Sequence, residues 1–224
     1  MLQCSKIIVH SYLDKLFLFF VMQIFDKPKI FFYNLDMRRF LILALFLILN
    51  TNVFAATEDL SKQAVAFYSD NNYQKTMDLI LQIDEKERTA QDWLILGNVL
   101  EDKGEKENAV FMYQKAISVN HKYYKAYYNL ANHYAQNNQF NMAIDNYKKA
   151  ASLNKENPFV FYNMACTYIK MGNLNKAKTN LNKAIMLKSD VPDFHYNLAY
   201  VYKQLNKPKL AQTYLNNYNK LMER

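Results

Sequence analysis

The feature that most constrains the fold of this chain is a repeat of 34 residues. Ala109, Ala143, Ala177 and Ala211 are spaced 34 residues apart, and seven further columns of residues keep the same spacing. Those columns are Trp93, Tyr127, Phe161 and His195; Leu96, Leu130, Met164 and Leu198; Gly97, Ala131, Ala165 and Ala199; Leu100, Tyr134, Tyr168 and Tyr202; Gly104, Asn138, Gly172 and Asn206; Tyr113, Tyr147, Leu181 and Leu215; and Ala116, Ala150 and Ala184, with Tyr218 breaking the last column. Eight columns that share one period indicate an array of similar units.

Within each unit the apolar positions lie three and four residues apart, which is the spacing of one helix face. A Gly or Asn divides each unit in two, and these residues readily adopt the left-handed conformation that ends a helix. The pattern therefore predicts two antiparallel helices per unit, in which small residues face bulky ones. The composition agrees, because 3 Gly and 4 Pro are far fewer than the roughly 16 and 11 of average usage, which disfavours turn-rich β folds.

These residues resemble the tetratricopeptide repeat, whose pattern runs aromatic, Leu, Gly or Ala, Tyr, and then Ala, an aromatic and Ala. The resemblance covers residues 90–224 as four units, and residues 56–89 form a degenerate first unit. It implies an all-α fold, a right-handed solenoid of antiparallel helical hairpins with about five units. The RNA-reading pentatricopeptide repeat has a slightly longer period and fits poorly with an exported chain, so no nucleic-acid partner is expected.

The N-terminal region has the order of a secretory signal peptide over residues 37–55. Met37, Arg38 and Arg39 precede ten apolar residues, 40–49, and small residues surround a predicted cut after Ala55. We therefore expect a periplasmic or secreted protein, and we expect residues 1–36 to be an upstream extension that is not expressed. The alternative is an uncleaved anchor in the inner membrane, although the apolar run is shorter than the roughly 20 residues that a span needs.

The resemblance also assigns a binding surface, because the first helices of such units line a concave groove. The positions assigned to this groove are Asn98, Lys125, Tyr128, Asn129, Asn132, Phe159, Tyr162, Asn163, Cys166, Tyr196, Asn197, Tyr200 and Lys203. Asn can donate to and accept from an extended peptide backbone, and Tyr offers a flat apolar ring with a polar end, so the surface suits peptide capture. The same Asn side chains could instead form hydrogen bonds between helices, and the sequence leaves both interpretations open.

No motif of catalysis, cofactor binding or metal binding is found in the sequence, which has no glycine-rich phosphate loop and no nucleophile signature. The histidines after the signal, His121, His133 and His195, are not at metal-ligand spacing with one another or with Cys166. His195 occupies a column that is otherwise aromatic, which indicates packing. Cys166 is the only cysteine after residue 55, so an internal disulfide is excluded there. The sequence predicts a protein that is not an enzyme and has no cofactor.

The charged residues are distributed unevenly along the chain, with an acidic first part and a basic second part. Residues 56–120 carry 7 basic and 12 acidic side chains, whereas residues 121–224 carry 15 and 5. Our main hypothesis is a scaffold or adaptor of the bacterial cell envelope that binds a protein or peptide segment. The alternative is a cell-wall or membrane-associated accessory factor whose basic C-terminal half contacts anionic polymer or lipid.

The last helix of the repeat array has a broad apolar stripe. Its residues include Tyr214, Leu215, Tyr218, Leu221 and Met222, and the final unit uses nearly all of the remaining sequence. A terminal unit without a covering helix leaves an apolar face in water. We therefore expect the partner to cover this edge, or a weak homodimer to form through residues 208–222.

Overall fold

The computed structural model describes the backbone of residues 35–223 and the side chains of residues 41–223 except 50 and 52. This described range contains ten α-helices and no strand. The helices are α1 (Leu35–Ser69), α2 (Tyr73–Gln82), α3 (Ala90–Asp102), α4 (Lys106–Val119), α5 (Tyr124–Gln136), α6 (Phe140–Leu153), α7 (Pro158–Lys170), α8 (Leu174–Leu187), α9 (Pro192–Gln204) and α10 (Pro208–Met222). Most of the predicted upstream extension, residues 1–36, lies outside the described residues.

The chain divides into two compact units between Glu58 and Asp59, and the described part of the first unit is helical. Apolar side chains of this unit are exposed, among them Ile42 at 66% and Phe54 at 65%. Among the described residues, Leu41–Ser69 is the one helical stretch that is long and apolar enough to cross a membrane. A signal sequence near the N-terminus can have the same length and apolar composition. Cleavage after Ala55 stays a prediction.

The second unit, which begins at Asp59, contains four full helical hairpins: α3–α4, α5–α6, α7–α8 and α9–α10. Each hairpin packs on the next through α4 and α5, α6 and α7, and α8 and α9. The degenerate unit precedes them, and its Ala64, Thr76, Ile80 and Ile83 are buried. Helix pairs that each contact their neighbours along the chain make this unit an all-α solenoid, which confirms the predicted fold class.

The residue that divides each hairpin has the predicted left-handed backbone. The φ angles are 82° at Gly104, 60° at Asn138, 73° at Gly172 and 55° at Asn206. In the first of these turns the next N–H, of Glu105, donates to the carbonyl of Leu100 at 2.8 Å, which satisfies one of the free carbonyls at the helix end. Gly and Asn are therefore required in this column by backbone geometry.

The core between the two helices of a hairpin alternates small and large side chains. Ala109, Ala143 and Ala177 are fully buried on the second helices. Gly97 shows how close the approach is, because a Cβ atom built there would collide with the ring of Tyr113. Core packing of this density tolerates neither a cavity nor an added methylene group without cost.

Aromatic side chains of the first helices also meet lysines of the second helices at regular spacing. Lys115 Nζ lies 5.6 Å from the Trp93 ring centroid, and Lys149 lies 5.9 Å from Tyr127. The last unit has His195 in this aromatic column, with 6% of its surface exposed and its ring stacked on Tyr214 at 6.0 Å. The predicted packing role of His195 is confirmed.

Candidate functional site: an asparagine ladder on the first-helix face

The residues predicted to line a groove all lie on the first helices of the four full hairpins. Consecutive first helices contact one another, so these residues share one surface, which we call the first-helix face. Helix α3 carries Asn98; α5 carries Lys125, Tyr128, Asn129 and Asn132; α7 carries Phe159, Tyr162, Asn163 and Cys166; and α9 carries Tyr196, Asn197, Tyr200 and Lys203. The structure thus brings the predicted residues together on one face.

Hydrogen bonds between asparagines join the first helices of neighbouring units. The amide of Asn129 on α5 donates to Oδ1 of Asn98 on α3 at 2.6 Å. The hydroxyl of Tyr113, which lies on α4, donates to the same oxygen at 3.1 Å. One carboxamide oxygen therefore holds together three helices of two adjacent units.

The same arrangement recurs one unit later with more partners. Oδ1 of Asn132 accepts from the Tyr147 hydroxyl at 2.6 Å and from the amide of Asn163 at 3.0 Å. The Asn163 amide also donates to the Tyr128 hydroxyl at 2.9 Å. We call the series Asn98, Asn129, Asn132, Asn163 and Asn197, with the tyrosine hydroxyls that it contacts, the asparagine ladder.

The third step of the ladder has a matched pair of replacements. Cys166 stands where Asn98 and Asn132 stand in earlier units, and Leu181 stands in the column of Tyr113 and Tyr147. Because Leu has no hydroxyl, an Asn at position 166 would lose the tyrosine donor that its counterparts have. The amide of Asn197 instead donates to the Tyr162 hydroxyl at 2.9 Å and makes a weak bond of 3.5 Å to the Cys166 Sγ.

Burial keeps the ladder's phenols and thiol in their neutral forms. The pKa of Tyr113, of Tyr147 and of Tyr162 is raised well above the ordinary phenol value, and burial is the largest cause for each. Burial also raises the pKa of the Cys166 thiol, although hydrogen bonds from Tyr162 and Asn197 oppose this. Cys166 is partly buried and its Sγ lies 3.5 Å from the Asn197 amide, so its contacts in the structure are those of packing and a weak hydrogen bond.

The ladder fixes which way each carboxamide points and leaves the opposite end available. Asn98 and Asn132 accept through their oxygens, and each amide also interacts with a tyrosine hydroxyl, that of Tyr68 for Asn98 and that of Tyr128 for Asn132, so one further N–H remains on each amide. Asn129, Asn163 and Asn197 donate through their nitrogens and keep their oxygens. All five asparagines are partly exposed, so solvent reaches part of each side chain. The face therefore presents partly exposed carboxamides whose orientation is fixed by hydrogen bonds.

Large side chains on the same face extend into solvent. Phe159 is 42% exposed, Tyr196 is 51% exposed and Tyr200 is 43% exposed. Lys125 and Lys203 are exposed as well. The face therefore combines oriented amides with two lysines and with exposed aromatic rings, a residue type that is enriched at protein interfaces.

A buried histidine near the ladder was not assigned a partner from the sequence. Nδ1 of His133 lies 3.0 Å from a carboxylate oxygen of Glu101, and Nε2 lies 3.0 Å from the amide nitrogen of Asn137. If the Asn137 amide donates, Nε2 is unprotonated and Nδ1–H donates to Glu101. The pair joins α3 to α5. Glu101 and His133 lie 32 residues apart, close to the 34-residue period, and this spacing is the sequence feature that indicates contact between neighbouring units. Within the part of the chain that the structure describes, no three His, Cys, Asp or Glu side chains could hold a metal ion.

Three family models match parts of the repeat array. The models described as TPR repeat and Tetratricopeptide repeat match residues 166–206 and 192–221. A third, described as Anaphase-promoting complex, cyclosome, subunit 3, matches residues 102–184. No curated protein matches the sequence at a significant level. The three matched ranges fall inside the segment in which the 34-residue period was found.

Solved structures with the same fold cover most of the chain. PilF of Pseudomonas aeruginosa is 17% identical with a TM-score of 0.69, over 75% of this chain and 78% of that chain. MamA of MSR-1 is 19% identical with a TM-score of 0.62, over 75% and 97%. A double mutant of MamA from RS-1 is 14% identical with a TM-score of 0.67, over 75% and 95%. At these identities the likeness concerns the fold alone.

Proposed function

Because the chain is a tetratricopeptide repeat protein, we propose that it is a non-enzymatic scaffold or adaptor that binds an extended protein segment along the first-helix face. Repeats of this family are typically protein-interaction scaffolds without catalytic activity. The observation that carries the proposal is the asparagine ladder. Its hydrogen bonds hold the carboxamides in place before a ligand arrives, which lowers the entropy that binding must overcome.

The order of open groups on the ladder suits a peptide backbone. An extended strand presents carbonyl oxygens and N–H groups in alternation, and it needs both donors and acceptors from its receptor. The remaining N–H of the Asn98 and Asn132 amides would supply donors, and the oxygens of Asn129 and Asn163 would supply acceptors. The two interpretations of the asparagines are therefore compatible, since a carboxamide that joins helices through one group would bind the segment through another.

Side-chain preference of the bound segment would come from the uncovered rings and lysines. Phe159 and Tyr196 offer apolar area at two points along the face, and Lys125 places a positive charge beside Tyr128 on α5. We expect a segment with apolar or aromatic residues separated by polar ones, and with acidic rather than basic charge. Aromatic contacts supply most of the affinity in such interfaces, and the charges act mainly on selection and association rate.

The cell envelope is the proposed place of action. The support is the signal-like order of residues 37–55, in which a basic start precedes an apolar run and small residues. After cleavage the repeat array would work in the periplasm or outside the cell. Identification of the mature N-terminus tests this part of the proposal on its own.

The decisive experiment separates the outward role of Asn132 from its structural role. Asn132→Asp keeps an oxygen to accept from Tyr147 and Asn163 but removes the amide N–H groups, whereas Asn132→Ala removes the oxygen as well. A photocrosslinking residue at Gln136 identifies the partner in intact cells, and one at Met186, which is 79% exposed on α8, is the matched control. Affinity for the captured segment is then measured with purified variants.

We expect crosslinks from position 136 and none from position 186. Loss of one hydrogen bond to the segment should weaken binding by the Asn132→Asp variant about 3- to 30-fold, with a smaller loss of stability than in Asn132→Ala. Crosslinks confined to position 186, or equal affinity of wild type and Asn132→Asp, would remove the first-helix face from the mechanism.

The charge of residues 121–224 supports a second candidate function. Their excess of ten basic side chains would attract cell-wall polymer or anionic lipid. Co-sedimentation with cell-wall sacs and with anionic vesicles, at low and at high salt, tests it directly. Salt-sensitive pelleting that Asn132→Asp leaves unchanged would favour this function over peptide capture.

A further inference from the structure

Each internal hairpin has a place where the first helix of the next unit sits. On α7 and α8 this place includes Ala165, Ala177 and Leu181, which the solenoid buries almost completely. The incoming helix is α9, whose Phe194 ring lies 4.8 Å from the Tyr162 ring. Three residues after Phe194, the amide of Asn197 donates to the Tyr162 hydroxyl at 2.9 Å. The occupant of an internal place is thus a helix that presents an aromatic ring and then a carboxamide.

The last hairpin carries four of these side chains again one unit later, although Tyr218 replaces the alanine at the position of Ala184 and its ring lies 5.3 Å from that of Tyr196. Tyr196, Ala199, Ala211 and Leu215 are the counterparts of the four residues of α7 and α8, and all four line a pocket of about 430 Å³ between α9 and α10. We call this pocket the C-terminal seat. None of the described helices of residues 59–223 fills it, and α10 has no buried residue.

The C-terminal seat also contains the open end of the asparagine ladder. The hydroxyls of Tyr128 and Tyr162 each accept from an Asn located 35 residues later. Tyr196 is the next residue in that series, and no side chain among the described residues hydrogen-bonds its hydroxyl. A carboxamide on an incoming helix would continue the ladder by one step.

Charge around the C-terminal seat selects among possible occupants. Lys203 lines the pocket, and Lys207, Lys209 and Lys220 lie on or beside α10. The sequence has no acidic residue from 194 to 222. A second copy that brought its own α10 against this surface would place like charges together, so charge complementarity favours an acidic helix from a different protein.

We propose that the C-terminal seat binds an acidic amphipathic α-helix of a partner protein, one that presents an aromatic residue and, three residues later, a side-chain amide. The helix would occupy the position that a further repeat would supply. This inference goes beyond the proposed function, because the occupant is a helix that docks between α9 and α10 and not an extended segment. It also gives the broad apolar stripe of α10 a partner that buries it.

The probe is a fluorescent peptide with the sequence of residues 189–206, in which Tyr200, Lys203 and Gln204 are replaced by Glu. It keeps Phe194 and Asn197, and an i, i+4 staple on its exposed side maintains the helix, since free peptides of this length are marginally helical. The receptor is protein purified after expression of the full sequence. Binding is followed by fluorescence anisotropy at low and at moderate salt.

Ala211→Gln places a larger side chain on the floor of the C-terminal seat. Thr213→Gln places the same side chain on the opposite side of α10 and is the matched control. We expect saturable, salt-sensitive binding that Ala211→Gln weakens about ten-fold or more and that Thr213→Gln leaves unchanged. The substitution Asn197→Ala in the peptide should weaken its binding to the wild-type protein about 3- to 10-fold. The same peptide substitution should have no effect on binding to the Tyr196→Phe protein, which lacks the hydroxyl.

Three results would overturn the proposal. They are absence of binding at about millimolar peptide, equal binding by wild type and Ala211→Gln, and a wild-type dimer in light scattering that Ala211→Gln converts to a monomer. The last result would assign the seat to a second copy of the chain. Because Ala211 lies off the first-helix face, loss of helix binding with retained capture of an extended segment separates this proposal from the proposed function.

Discussion

Removal of the Asn132 carboxamide should cost far more stability than its half-buried position suggests. The Tyr147 hydroxyl that donates to Asn132 Oδ1 at 2.6 Å belongs to a residue that is 1% exposed. In Asn132→Ala this hydroxyl loses its acceptor and water cannot easily replace it, which costs about 1–3 kcal/mol. The Asn163 amide loses one of its two acceptors, which adds about 1 kcal/mol. We therefore expect a loss of about 2–4 kcal/mol in the free energy of unfolding.

A double-mutant cycle with Tyr147→Phe shows whether the loss arises at this bond. Tyr147→Phe keeps the ring and should cost only about 0.5–1.5 kcal/mol, since Asn132 still accepts from Asn163. In the double variant no hydroxyl is left unsatisfied, so the cost should fall about 1–2 kcal/mol short of the sum. Urea unfolding is followed by circular dichroism and tyrosine fluorescence, because a repeat protein can unfold in steps.

The control is Asn219→Ala, an exposed Asn on α10, which should be neutral or slightly stabilising because Ala is the better helix former. A cost below about 0.5 kcal/mol for Asn132→Ala, or additive single effects, would show that the ladder bond contributes nothing in solution.

Four further outcomes follow from the structure. Cys166→Asn combined with Leu181→Tyr should be more stable than the sum of the single variants by about 1 kcal/mol, measured by urea unfolding. The urea midpoint should fall as the pH rises above about 10, less so in Tyr147→Phe, because the unfolded chain releases phenol protons that the folded state, with its raised tyrosine pKa values, retains. Ala143→Leu should cost about 1–3 kcal/mol by overpacking a fully buried position. From the sequence pattern of residues 37–55, N-terminal sequencing of the protein from cells should find Ala56 first, and cytoplasmic protein that retains residues 40–49 would contradict the signal.

The repeat could be predicted from the sequence because the residue type in each column is determined by one strong local constraint. The Gly and Asn turn column is required by positive φ, which few other residues adopt without strain. The alanine column is required by close helix packing, as the full burial of Ala109, Ala143 and Ala177 shows. Such constraints act within one hairpin and recur in every unit, so comparison of the units with one another shows them without a structure.

The hydrogen bonds of the ladder could be predicted only in part, because each depends on two units at once. The sequence makes Asn132 a candidate for peptide binding or for hydrogen bonds between helices, and its spacing from Asn163 does not decide between the two. The direction of the bond is set by Tyr147, which lies on a second helix and reads in the sequence as an ordinary core aromatic. A buried hydroxyl needs an acceptor, and the acceptor that the fold places within 2.6 Å is the Asn132 oxygen.

The replacements at positions 166 and 181 are the sequence feature that indicates the hydrogen bond between the Asn column and the Tyr column. Both columns are constant in the two preceding units, with Asn98 and Tyr113 and then Asn132 and Tyr147, and both change in the next. A packing role alone does not explain why Cys replaces Asn in the unit where Leu replaces Tyr. A hydrogen bond between the two columns explains it. Without a tyrosine donor, an Asn oxygen would be no more stabilising than the Cys166 thiol, which still accepts from Asn197. The carboxamides of Asn98 and Asn132 are thus held by tyrosines of their own hairpins and by an asparagine of the next one.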